Sequence, residues 1–179
     1  MERINALRRI KEEYNDINRN PDLNTGITVG LQDENNIFIW KTAIIGPQDT
    51  PYKGGFFMVN IYFPDNYPNY PPKVKFITPI YHVNVKSRRS NMMIEDDIGT
   101  PDLTILQNWK PEFKVKDILI SIYSLFYMNK DFSNYSIEMS DELRNNKTLY
   151  EEKIRYFTHK YANPMTSNNN HNWDFTYSS

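Results

Sequence analysis

The residues able to do covalent chemistry concentrate between positions 78 and 114. Ser87, Ser90, Thr100 and Thr104 stand there, and a hydroxyl attacks an activated acyl group only when a base takes its proton. No Ser, His and Asp order marks such a relay. The chain contains no cysteine, which excludes a disulfide framework, a thiolate metal site and any thiol nucleophile. His82, His159 and His171 belong to different stretches and lack the compact spacing of a His-Glu-x-x-His motif, so no metal site is expected. The run Glu95-Asp96-Asp97 offers the carboxylate oxygens that hard cations take, but it reads as a solvated acidic loop. Gly54-Gly55 lacks the lysine and helix that would follow in a phosphate-cradling loop. Asn134-Tyr135-Ser136 and Asn146-Lys147-Thr148 match the glycosylation sequon, and without a secretory signal they count as chance matches in an asparagine-rich chain.

These residues need a scaffold, and 179 residues with 39% hydrophobic and 24% charged content are the right size for one globular domain. Lys and Arg number 21 against 22 Asp and Glu, so the whole-chain field offers no attraction to nucleic acid or an anionic membrane. No apolar run is long enough to span a bilayer and the amino terminus is a charged amphipathic segment, so a cytoplasmic or nuclear location is expected. Ile4, Leu7, Ile10, Tyr14 and Ile17 recur at helical spacing, with Arg8, Arg9, Lys11, Glu12 and Glu13 in the gaps, and predict an amphipathic helix that ends before Pro21. Alternation at Ile27, Val29 and Leu31, a polar turn over 33–36 and the β-branched run from Ile37 to Ile45 predict a hairpin. Phe57, Val59, Ile61 and Phe63 alternate in a third strand, and Val74 to Ile77 gives a fourth, which makes an antiparallel meander.

Residues 78–114 show little periodicity, and so long an irregular stretch in a compact domain points to a functional segment. Val115, Ile118, Leu119, Ile122, Leu125 and Phe126 then predict a mostly buried helix. Shorter helices are expected over Ser136 to Arg144 and Thr148 to Tyr161, the latter with Thr148 and Glu151 as a capping box. The Asn- and Ser-rich tail over 163–179 is expected to fray, although the alternation of Trp173, Phe175 and Tyr177 offers a way to dock.

The residue order resembles a ubiquitin-conjugating enzyme domain. Its anchors are Trp40, Ile45-Gly46-Pro47, Thr50-Pro51-Tyr52-Lys53-Gly54-Gly55-Phe56-Phe57, Tyr67-Pro68 and Pro71-Pro72-Lys73-Val74. Ile80-Tyr81-His82-Val83-Asn84, Trp109-Lys110-Pro111 and Ile118-Leu119-Ile120-Ser121-Ile122 continue in the same order. The resemblance implies an α+β fold over residues 1–162: an N-terminal helix, a four-stranded antiparallel meander sheet, a long active-site-like segment and C-terminal helices. It also implies a thioester-carrying cysteine, which this chain lacks. Matching Gly99 to Leu106 to the family's Gly-x-x-Cys-Leu-x-Ile-Leu run puts Asp102 at the nucleophile position, with an insertion before it. Counting from His82-Val83-Asn84 at the family's usual spacing puts Met92 there, and Asp102 is preferred because glycine and the flanking aliphatic positions match together.

His82 and Asn84 are the retained loop residues, with Val83 in place of the family's proline, and both are expected to brace the loop rather than to catalyse. The acidic residue that helps deprotonate an attacking lysine aligns near Ser133. For partners, the resemblance implies that Arg8, Arg9 and Lys11 meet the activating enzyme, and that Asn69, Tyr70 and Pro111 lie where a ligase grips. Asn69 is polar where an apolar residue is usual, and Glu112 follows Pro111 where a small one is common. The expected function is a non-catalytic member of the ubiquitin or ubiquitin-like conjugation pathway, without cofactor, that binds ubiquitin, a relative, a catalytic conjugating enzyme or a ligase. Two other readings stay open: an unconventional enzyme with a Ser or Thr acyl carrier or a replaced natural cysteine, and a peptide-binding adaptor whose groove is lined by the insertion at Lys86 to Asp97.

Overall fold

Alternation of side chains builds the sheet. The computed structural model describes residues 1–20, 26–88, 95–127, 135–164, 173 and 175. β1 (Ile27–Asp33), β2 (Asn36–Ile45), β3 (Phe56–Tyr62) and β4 (Lys73–Phe76) pair antiparallel in sequence order. Trp40, Thr42 and Ile44 stand opposite Ile61, Val59 and Phe57, and Val59 and Ile61 stand opposite Phe76 and Val74. All eight of these side chains are buried on one face of the sheet. The connection from β2 to β3 turns at Gly46, where a Cβ atom would lie 1.9 Å from the Tyr52 carbonyl oxygen, a position only glycine can occupy.

Helices cover the buried face. α1 (Glu2–Arg19) packs against β2, with Tyr14 edge-on to Trp40 at 5.3 Å between ring centroids. Its inward residues are Ala6, Ile10 and Glu13, while Ile4 is 70% exposed. The sequence pattern had placed Ile4 inward and Glu13 outward. Glu13 is held inside because its carboxylate accepts from the Val115 N–H at 2.6 Å, from the Tyr67 hydroxyl at 2.8 Å and from the Arg9 guanidinium. A buried carboxylate is tolerated when it is paired and hydrogen-bonded in this way.

Within the long irregular segment lie a single 3₁₀ turn at Glu95–Asp97 and a one-turn helix, α2 (Thr104–Gln107), neither of which periodicity revealed. α3 (Val115–Leu125) buries Val115, Ile118, Leu119, Ile122 and Leu125, and Phe126 just past its end meets Phe57 at 5.2 Å. α4 (Ile137–Asn145) and α5 (Lys147–Tyr161) pack on each other. The cap of α5 is Asn146, whose side chain accepts from the Leu149 N–H at 3.1 Å, rather than the expected Thr148. The Ala162 carbonyl accepts from the Phe56 N–H at 2.7 Å and ties the end of α5 to β3. In the tail Trp173 and Phe175 are buried, and Tyr177 lies outside the described residues. Among the described residues no helix is long and apolar enough to cross a membrane.

Candidate functional site

Asn84 and Asp102 are brought together by a short antiparallel ladder. The Asp102 N–H donates to the Asn84 carbonyl at 2.8 Å, the Lys86 N–H to Thr100 at 2.9 Å and the Gly99 N–H to Lys86 at 2.7 Å, around a bridge between Val85 and Pro101. The Phe76 N–H donates to the Gly99 carbonyl at 2.8 Å, so this second arm continues outward from β4. Gly99 has φ +86°, and a Cβ there would lie 2.3 Å from the Phe76 carbonyl oxygen. That close approach requires glycine.

The first arm is clamped from below. The Tyr52 hydroxyl donates to the Tyr81 carbonyl at 3.0 Å, and the Val83 N–H donates to the Tyr150 hydroxyl at 2.9 Å. Burial pushes the pKa of both phenols up, which keeps them protonated. The Tyr81 hydroxyl reaches Glu142 on α4 at 2.7 Å, and Glu142 pairs with Lys153 on α5. His82 is wholly buried. Its Nδ1 accepts from the Asn84 N–H at 2.9 Å, which leaves Nε2–H to donate to the Leu125 carbonyl at 2.9 Å. Desolvation lowers the His82 pKa to about 4, against a weaker opposing effect of the Leu125 carbonyl. The ring is therefore neutral near pH 7, enclosed, and fully engaged in holding the turn.

Asp102 is half-buried and its carboxylate accepts from the Gln107 side chain. Beside it a hollow of about 180 Å³ is lined by Leu103, Thr104, Ile105, Ser121, Ser124 and Leu125. The Ser121 and Ser124 hydroxyls donate to the carbonyls of Asp117 and Ile120 on their own helix. Of the other hydroxyls, Ser87 is buried, Thr100 is half-buried and Thr104 is exposed. Tyr135, which sequence reasoning missed, lies on the other side, where burial and then the Asp102 charge raise its pKa while Lys86 opposes them. Met92, Ser90, Ser133 and His171 lie outside the described residues. No three His, Asp or Glu side chains among the described residues are close enough to hold a metal ion.

Arg8, Arg9 and Asn69 line a shared hollow of about 400 Å³ between α1 and the turn at Asn66 to Pro68. Tyr70, next to Asn69 in sequence, is exposed, as are Pro111 and, on α1, Lys11. Arg9 differs from its neighbours. Besides Glu13 it reaches the carbonyls of Phe113 at 3.2 Å and Pro111 at 3.5 Å, so it fastens α1 to the segment before α3 as well as lining the hollow.

Comparison with known proteins agrees with this architecture. The family model described as ubiquitin-conjugating enzyme matches residues 9–158. A relative from Schizosaccharomyces pombe, ubiquitin-conjugating enzyme E2 15, is 35% identical over 152 residues, covering 82% of this chain and 89% of that protein. With its sheet order, its clamped His82 to Asn84 turn and this match over most of its length, the chain belongs to the ubiquitin-conjugating enzyme family, as a member without a cysteine.

Proposed function

We propose that the protein is a non-catalytic partner in ubiquitin or ubiquitin-like conjugation, binding the modifier or a catalytic conjugating enzyme and adjusting what that partner does. The observation that carries this reading is the occupant of the site: Asp102 sits against Asn84 in a chain with no thiol. A carboxylate there could form only a mixed anhydride, and the neighbouring hydroxyls of Ser121 and Ser124 are committed to their helix. The mechanism is positioning. A bound acceptor presents one amine to a partner's thioester, which lowers the entropic part of the barrier.

The test incubates the protein with activating enzyme, ATP and labelled ubiquitin, beside a cysteine-bearing conjugating enzyme. The expected result is charging of the control and no adduct on this chain, together with chemical-shift changes when labelled ubiquitin or the charged control is titrated with it. A base-labile, thiol-resistant adduct would replace this reading with an oxygen nucleophile. Absence of shifts at millimolar partner would remove the binding role.

A further inference from the structure

Trp173 and Phe175 follow the last helix, outside the span that matches the family, yet they are only 6% and 1% exposed. In the sequence they are isolated apolar residues: over 163–172 the only large apolar side chain is Met165. The Phe175 ring meets Phe157 at 4.8 Å and Tyr161 at 6.1 Å, both on α5, and Tyr81 at 5.3 Å, each edge-on. Tyr81 leads directly into His82 and Asn84, so Phe175 packs on the first arm of the ladder. Trp173 meets Phe175 at 6.0 Å and lies over the second arm, where a Cβ placed on Gly99 would be 3.2 Å from its ring. Gly99 is the residue that bonds both to Lys86 and to Phe76. One pair of rings therefore touches both arms that set Asn84 against Asp102.

The ladder itself is short, and a few hydrogen bonds outside the main sheet open readily by local fluctuation. Aromatic rings are the side chains best able to prevent this, because each buries a large area with few rotatable bonds. We infer that Trp173 and Phe175 form an intramolecular latch. The cleft between Tyr81, Phe157, Tyr161 and Gly99 is a binding site for an aromatic-x-aromatic segment, filled in cis by this chain's own tail, and its occupancy positions the segment carrying Asp102. Release of the tail changes the shape of the site without altering any residue in it, and exposes an aromatic cleft. The inference does not depend on whether the site is catalytic.

The test is amide hydrogen exchange on the full chain and on Trp173→Ala/Phe175→Ala. The expected result is exchange at least tenfold faster at Gly99 and Asp102, with amides at the centres of β2 and β3 unchanged. Adding a synthetic peptide of residues 170–179 at millimolar concentration then restores protection, and the same peptide with alanine at both aromatic positions does not. Unchanged exchange at Gly99 and Asp102, an equal loss throughout the sheet, or no rescue by the peptide each overturns the latch. If the double variant does not fold, Trp173→Leu is read by the same criterion. Protection in the natural chain that rises with protein concentration would assign the tail to a second copy and overturn the cis arrangement.

Discussion

His82 shows how a residue with catalytic potential is turned to structure. Unfolded, its imidazole takes a proton below pH 6.5; folded, burial keeps it neutral down to about 4. Its contribution to stability is complete above pH 6.5, falls as the pH drops through that window and is gone below about 4, for a total of roughly 3 kcal/mol. Urea unfolding at intervals from pH 7 to 4 is therefore expected to show a flatter dependence in His82→Gln than in the natural chain, and parallel curves would contradict the buried neutral ring. The nucleophile position has its own residue-scale test. In the charging reaction, Asp102→Cys is expected to give a thiol-sensitive adduct and Met92→Cys none; the reverse would move the position to 92. The run from Gly99 to Leu106 makes Asp102 a candidate legible in the sequence, and this pair of variants tests it. The phenol clamps were not, because Tyr52 and Tyr150 reach backbone groups 29 and 67 residues away and nothing local announces such partners.

Among the elements, α1 depends most on a residue whose type argues against its position. Replacing Glu13 by alanine strands the Val115 N–H and the Tyr67 hydroxyl in the interior and takes the carboxylate from Arg9, and is expected to cost about 3 kcal/mol of unfolding free energy. Arg3→Ala breaks an ion pair with Asp65 in which both side chains are more than 60% exposed, and is expected to change the urea midpoint little. The strands and α3 could be read directly from their periods, since the face that alternates is the face that is buried. Helix ends were harder. Thr148 with Glu151 makes a plausible capping pair, yet the chain enters α5 at Asn146, the one residue between α4 and α5, whose side chain takes the Leu149 N–H. Charge misled at Glu13 for a related reason: a carboxylate with partners 54 and 102 residues away looks like a surface residue in its own neighbourhood.

At the scale of the whole molecule, three tryptophans report from different places: Trp40 under α1, Trp109 beside the Pro68 turn, whose carbonyl it reaches at 2.7 Å, and Trp173 on the second arm of the site. Because α5 is bonded to β3 through Ala162 and to the site turn through Tyr150, unfolding is expected to be cooperative. Tryptophan fluorescence and far-ultraviolet circular dichroism should give coincident urea transitions, and a separate early phase in variants that retain only Trp173 would show the C-terminal segment detaching first. Domain class and strand order were legible from pattern alone, whereas the docking of the tail was only one of two outcomes its alternating aromatics allowed. Lys86 accepts from the Gly99 N–H and donates to the Thr100 carbonyl, which pins the two ends of the intervening stretch side by side. Loop-closure entropy grows only with the logarithm of length, so doubling that stretch would cost about 0.6 kcal/mol. Its length is thus a nearly free variable. An epitope or reporter grafted between Arg88 and Glu95 would leave the stations at 84 and 102 where they are, making this the natural port through which the molecule can be given new cargo.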